Sequence, residues 1–208
     1  MLIFVLKNAA MKNSLVIFIL STLLASCKMT YNTYSGKSGF ADNTVVAHRG
    51  AWKQQNLPQN SIAALRRAIE LGCAGSEFDV RMTADDTLVV NHDPDYKKMR
   101  IDSSAYTQLS AVKLPNGEKL PTLREYIIAG TNGNKKTMLV IEIKPSDISK
   151  ARAAFIAEQT VKLVHELRAS KMVCYISFDF DILKKIKEKD PVAIVQYLEG
   201  NKTPLELK

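Results

Sequence analysis

Several absences narrow the reading at once. The chain has no glycine-rich loop of the GxGxxG or GxxxxGK type, which argues against a nucleotide-binding sheet. Its three cysteines, Cys27, Cys73 and Cys174, stand apart with no CxxC spacing, so neither a zinc site nor a disulfide framework is indicated. Nine glycines and seven prolines in 208 residues are too few for a low-complexity or disordered chain. There is no internal repeat, and no apolar run reaches the ~20 residues of a membrane-spanning helix. The formal charge is +8, with short basic runs at Lys97-Lys98, Lys135-Lys136 and Lys184 to Lys189. No nucleic-acid motif accompanies them, so they read as solvated faces and nucleic acid is not an expected partner.

What is present begins with an export signal. Two starts are visible, Met1 and Met11. From Met11 the order is a basic residue (Lys12), an apolar stretch (Leu15 to Leu20), then small residues, which is the layout of a secretory signal. Leu24-Ala25-Ser26-Cys27 resembles a bacterial lipobox, in which the cysteine is acylated after cleavage before it. An ordinary signal peptide or an uncleaved anchor are the competing readings. The expectation is therefore a lipoprotein signal over 1–26, lipidation at Cys27, and a polar tether over 27–43. This implies an exported, membrane-anchored protein on the periplasmic or cell-surface side. Removing Lys7 and Lys12 with the signal takes the charge from +8 to +6.

The remainder, 44–208, is long enough for one sizeable core and short for two domains. Short apolar runs alternate with helical patterns. Strands are expected at Val45 to Ala47, Gly75 to Val80, Thr87 to Asn91, Met138 to Ile143, Met172 to Phe178 and Val192 to Leu198. Helices are expected after Asn60 or Ser61 as N-cap, with Gly72 just past the end, from Leu123 to Ala129, from Ser149 to Ser170 with Phe155 on the buried side, and from Ile182 to Glu188. Met82 to Asp86 is turn-like, and a hairpin centred between Ala84 and Asp85 would place Glu77 opposite His92 and Asp79 opposite Val90. Pro94 to Leu120 is polar and reads as an irregular inserted cap. The alternation implies a mostly parallel sheet, either doubly wound or a (β/α)8 barrel.

The chemistry concentrates between Val45 and Asp93, with a second group at Glu142 and Lys144. His48, Arg49, Glu77, Asp79, His92, Glu142 and Lys144 all lie at or near strand ends, which share one rim in a barrel. Glu77 and Asp79, two apart on a strand, share a face. Three clustered carboxylates call for a cation, and oxygen donors suit Mg2+ or Ca2+ better than zinc. A simple Glu142–Lys144 pair is the plainer alternative for those two residues. His48 and His92 suit acid–base work near neutral pH. Arg49 can grip a phosphate with two donors and Lys144 adds a point charge. His165, mid-helix, reads as surface or packing, and Cys174 as a core residue. Together these groups match phosphodiester hydrolysis.

The order His48-Arg49-Gly50, Pro58-Gln59-Asn60-Ser61, Glu77-Phe78-Asp79-Val80, His92-Asp93 and Ile141-Glu142-Ile143-Lys144 resembles the glycerophosphodiester phosphodiesterase family. The resemblance runs from about Val45 to Leu198. It implies a TIM-type (β/α)8 barrel with an insertion, here 94–120. It implies metal-dependent hydrolysis of glycerophosphodiesters to sn-glycerol 3-phosphate and an alcohol. His48 and His92 would be the acid–base pair, Glu77, Asp79 and Glu142 the metal ligands, and Arg49 and Lys144 the phosphate contacts. Two departures stand out. Gln59 occupies a position where the family usually carries Glu, and the chain reaches Lys208 before the last ~two strands of an eight-stranded barrel. The rival readings are a non-catalytic surface lipoprotein on the same scaffold and a phosphodiesterase acting on lysophospholipid or phosphoinositide.

Overall fold

Strand β2 (Gly75–Met82, GSEFDVRM) explains the layout. All its residues are buried except the half-buried Arg81. Its even-numbered apolar residues Phe78, Val80 and Met82 join the main core, while Glu77, Asp79 and Arg81 alternate onto the other face. A strand covered on both sides belongs in the middle of a parallel sheet. The computed structural model, which describes residues 43–203 and 205, places it there. The expected signal, Cys27 and all of the tether but Asn43 lie outside the described residues.

The sheet runs β1 (Val46–Ala47), β2, β6 (Met138–Ile143), β7 (Val173–Ser177), β8 (Val195–Tyr197), each parallel to the next. Parallel neighbours in simple chain order are the pattern of a TIM-type barrel. A doubly wound sheet reverses its order at a switch point, so the barrel reading holds. Among the described residues no strand joins β8 to β1.

Strand β3 (Leu88–Val90) pairs antiparallel with β2, through Val80↔Val90 and Met82↔Leu88. This register differs by one residue from the expected one. Asp79 faces Asn91, whose N–H donates to the Asp79 carbonyl at 3.0 Å. The hairpin and the parallel order coexist because β2 is long. β1 takes its edge at Gly75 and Ser76, and β3 takes the same edge further along.

Helix ends follow local chemistry. Helix α1 (Ile62–Glu70) starts at Ser61, whose Oγ accepts from the Ala64 N–H at 3.0 Å. It ends with Gly72 at φ +66, the Gly72 N–H donating to Ile69 and the Cys73 N–H to Ala68. Helix α3 (Leu123–Thr131) carries a reciprocal Thr122–Glu125 cap and runs two residues past the expected end. Helix α4 (Lys150–Glu166) is capped by Ser149. It buries Ile156, Val161 and Val164, but Phe155 stands partly exposed beneath the Arg152 guanidinium. Helix α5 (Phe180–Lys189) begins two residues earlier than expected because Asp179 caps it. His165 does more than pack: its Nε2 meets Asp190 Oδ2 at 2.7 Å and ties α4 to the end of α5. Cys73 and Cys174 are free and buried. No described helix is long and apolar enough to cross a membrane.

Pro94 to Leu120 is not irregular. It forms a small hairpin, β4 (Asp95–Tyr96) and β5 (Met99–Arg100), then a short helix α2 (Tyr106–Ala111). Tyr96, Ile101, Leu109 and Leu120 close over Val89 as a second apolar cluster. The four apolar residues are spread over 25 positions without helical or strand periodicity, so the pattern is invisible locally. The segment is pinned to α1 by Glu118, whose carboxylate accepts from the Ile62 and Ala63 N–H groups.

Candidate active site

The carboxylates meet because of register. Asp79 on β2 is directly beside Glu142 on β6, so the two side chains emerge on one face. Glu77, two residues earlier on β2, joins them. Oxygens from Glu77, Asp79 and Glu142 lie within 4.8 Å of one another, and all three residues are buried. Lys144 continues the β6 alternation and points its ammonium between Asp79 Oδ1, at 2.9 Å, and Glu142 Oε1. Lys144 thus bridges two carboxylates, so the simple Glu142–Lys144 pair is only part of the arrangement.

The turn after β1 supplies the second wall. Arg49 (φ 56) and Gly50 (φ 79) are both left-handed, which reverses the chain immediately after His48. Gly50 is required there, since a Cβ would lie 2.7 Å from the backbone of Ala64 in α1. The tight turn brings the Arg49 N–H to Glu77 Oε2 at 2.8 Å and His48 Nε2 to 3.9 Å from the same oxygen. The Arg49 side chain runs toward Asp79, with Nε 3.8 Å from Oδ2 and Nη1 donating to Gln59 Oε1 at 2.8 Å. Gln59 therefore faces Arg49 rather than the carboxylates, and the charge that Glu would bring at this position is missing beside the guanidinium.

Asn60 holds Asp79 from both sides. Its Nδ2 donates to Asp79 Oδ2 at 2.8 Å and its Oδ1 accepts from the Asp79 N–H at 3.3 Å. In the sequence Asn60 is legible as a candidate helix cap and as part of the Pro58–Ser61 motif, with no role toward Asp79 assigned to it. Its left-handed φ of 59 is tolerable for Asn, and this conformation is what turns its side chain to β2. The other residue missed by sequence reasoning is Arg81, whose Nε donates to the His92 carbonyl at 2.9 Å. Its position four residues after Glu77 on the same strand face was the available signal.

His92 follows β3. Its Nδ1 lies 2.7 Å from Asp93 Oδ1, an arrangement that suits a proton on Nδ1 donating a hydrogen bond to the carboxylate, with Nε2 left for the chemistry. Partial burial, then the Arg49 charge, holds His48 below the usual histidine range; the charge of His92 adds to the effect. Glu77 is pushed up to about 7, first by burial and then by Asp79. Among the described site residues, Glu77 Oε1 and Arg49 Nε are buried without a hydrogen-bond partner, while Asp79 Oδ1 has only the Lys144 ammonium beside it. An orphaned carboxylate oxygen beside two further carboxylates fits a hard divalent cation, and an orphaned guanidinium N–H fits an anion.

Comparison with known proteins identifies the family. The family model described as "Glycerophosphoryl diester phosphodiesterase family" matches residues 48–206. A glycerophosphodiester phosphodiesterase of Caldanaerobacter subterraneus subsp. tengcongensis is 31% identical over 159 residues, covering 71% of this chain and 63% of its own length. Glycerophosphodiester phosphodiesterase 1 of Bos taurus is 28% identical, covering 71% of this chain and 46% of its own. This chain therefore spans between about half and two thirds of those curated relatives. A solved glycerophosphodiester phosphodiesterase from Parabacteroides distasonis is 41% identical with a TM-score of 0.75, covering 81% of this chain and 70% of that one.

Proposed function

This chain belongs to the glycerophosphoryl diester phosphodiesterase family, and from that premise we propose that it hydrolyses glycerophosphodiesters to sn-glycerol 3-phosphate and an alcohol. The observation that carries the proposal is the buried triad of Glu77, Asp79 and Glu142, with Glu77 Oε1 unpartnered and His48 beside it. Charge balance supports a divalent cation, Mg2+ or Ca2+, held by those carboxylates. Arg49 and Lys144 offset two of the three negative charges. A divalent ion then leaves one net positive charge, which matches a phosphodiester anion. When bound, the ion supplies electrostatic stabilisation of the charge that develops on the phosphoryl oxygens.

The chain's own residues do the rest. Arg49 offers its unpartnered Nε–H to a phosphoryl oxygen, and Lys144 adds positive charge from β6. His48, whose lowered pKa keeps it neutral near pH 7, accepts the proton of the neighbouring glycerol hydroxyl as that oxygen attacks phosphorus. The bond from phosphorus to the alcohol breaks. His92, oriented by Asp93, gives a proton to the departing oxygen. A water then opens the cyclic phosphate, giving its proton to His92 while His48 returns one to the glycerol oxygen.

The test is glycerol 3-phosphate release from glycerophosphocholine with Mg2+, Ca2+ or chelator. Release that requires one of the two ions is expected, and no release with either overturns the proposal. The two histidines are separable by leaving group. A substrate releasing p-nitrophenolate, which needs no proton, is expected to restore activity to His92→Ala and leave His48→Ala inactive. Equal rescue of both would count against these roles.

The sequence alone supports a further part of the proposal, lipidation at Cys27 and anchoring to a membrane on the exported side. Labelled fatty acid should enter the wild type, and label persisting in Cys27→Ala would rule the assignment out.

A further inference from the structure

Arg81 is a half-buried arginine on the central strand. It shares a β2 face with Glu77 and Asp79, so its stem rises from the same row as the carboxylates. Three acidic groups from three different segments act on its charge, Asp147 in the loop after β6, Asp79 on β2 and Asp93 beside His92, with Arg100 of β5 the opposing like charge. It lines a small open cleft, of about 20 Å3, together with Lys144, Asp102 and Arg152, between the Pro94–Leu120 segment and the end of β6. Its one described hydrogen bond goes to the backbone of a proposed catalytic residue, from Nε to the His92 carbonyl at 2.9 Å.

His92 has no regular structure to hold it, because β3 ends at Val90. The ladder's last support is the Asn91 N–H to Asp79 carbonyl bond. Beyond that point Asn91 Nδ2 steadies the Asp93 and Asp95 carbonyls, and Asp93 holds the imidazole Nδ1. Both contacts are internal to the loop. Among the described residues, the Arg81 contact is the hydrogen bond that ties the His92 peptide itself to the sheet that carries the carboxylates.

We propose that Arg81 is the positioning residue for His92, fixing the height of its imidazole over the β2 carboxylates through the hydrogen bond to the His92 carbonyl. The inference rests on the acid–base role proposed for His92, and nothing in it requires Arg81 to touch substrate. A guanidinium suits the task because its planar donors hold one direction, whereas an ammonium on a flexible stem does not.

The test uses the full 208-residue chain and two substitutions. Arg81→Met keeps the stem and removes the donors. Arg81→Lys keeps the charge among Asp79, Asp93 and Asp147 and can still donate. With glycerophosphocholine, Arg81→Met is expected to lower kcat roughly 10- to 100-fold, with KM changed less than about threefold, the signature of a displaced catalytic group. Arg81→Lys, which can still donate but holds its direction less well, is expected to fall between wild type and Arg81→Met, recovering only part of the lost kcat. In a His92→Ala background, Arg81→Met should cost less than about twofold more, since a residue acting only through His92 has nothing left to position. A full additional loss in that background, or equal behaviour of Met and Lys, overturns the proposal.

A second readout does not depend on turnover. The chain has three histidines, so its imidazole resonances can be assigned singly. Arg81→Met is expected to shift and broaden the His92 signal and leave that of His165, which is held by Asp190 on distant helices, in place. An unmoved His92 signal sinks the positioning role even if the protein hydrolyses phosphodiesters. A moved signal in a protein without hydrolase activity upholds the contact and overturns the function proposed above.

Discussion

Replacing Asn60 by Ala should be among the most damaging single changes near the site, and the cost can be worked from its contacts. Asn60 is 3% exposed and both of its side-chain hydrogen bonds end on Asp79. Losing the 2.8 Å bond to a carboxylate oxygen costs about 1.5–3 kcal/mol, the usual range for a charged acceptor. The Asp79 N–H, bonded at 3.3 Å, is then left without its partner in a buried setting, for about 1 kcal/mol more. Ala at φ 59 adds about 1 kcal/mol of backbone strain that Asn largely escapes. The total is about 3.5–5 kcal/mol, a large share of a typical stability of about 5–15 kcal/mol. Asn60→Gly separates the parts: it loses the same hydrogen bonds but accepts the left-handed φ, and should be the less damaging of the two. Asn60→Asp would set a second carboxylate against Asp79 Oδ2, and should recover stability as the pH is lowered. Urea unfolding followed by circular dichroism, without divalent ions, measures all three. An Asn60→Ala loss below about 1 kcal/mol would refute the assignment of Asn60 as the clamp on Asp79.

Glu77 gives a pH prediction with a definite sign. Its folded pKa of about 7 exceeds the ordinary 4.5, so the folded chain holds a proton that the unfolded chain has lost. Unfolding free energy should therefore fall as pH rises from about 4.5 to about 7, by on the order of 3 kcal/mol, and flatten above that. Saturating Mg2+ or Ca2+ should abolish the fall by holding Glu77 ionised, and an unchanged slope would count against the triad as the cation site. Gly50→Ala should cost about 3 kcal/mol or more, because the new Cβ meets the α1 backbone 2.7 Å away at a left-handed φ. A loss under about 1 kcal/mol in urea would show that the turn relaxes easily. By contrast, Arg124→Ala removes an ion pair, exposed on both sides, in which Nη2 donates to both Glu166 oxygens, and should change stability by less than about 1 kcal/mol.

Much of the fold was legible because its signals are local. Ser61 and Gly72 act within one helical turn of themselves, and the structure shows both where the residue type placed them; Thr122 and Ser149, not singled out as caps in the sequence, cap their helices in the same local way. The two-residue alternation that sets Glu77 and Asp79 on one face is a property of any strand. What stayed hidden depends on positions distant in sequence or on small backbone angles. Phe155 reads as core by helical spacing, yet the packed neighbours of α4 leave it outside. The hairpin register slipped by one residue because turn composition allowed either centre and hydrogen bonds to the rest of the sheet chose between them.

The sequence by itself determined the family, the alternation of strands and helices, and the seven side chains that carry the proposed chemistry. It could do so because residue type and spacing encode strand faces, helix ends and motif order. Only the tertiary structure decided how those side chains are held. Parallel register set Glu142 against Asp79 across 63 residues of chain. Two successive left-handed residues delivered Arg49 to Glu77, and Asn60 and Arg81 became supports for Asp79 and His92. Hydrogen-bond partners so far apart in the chain leave no periodic trace. They exist only once the burial of the sheet's apolar face has brought the segments together.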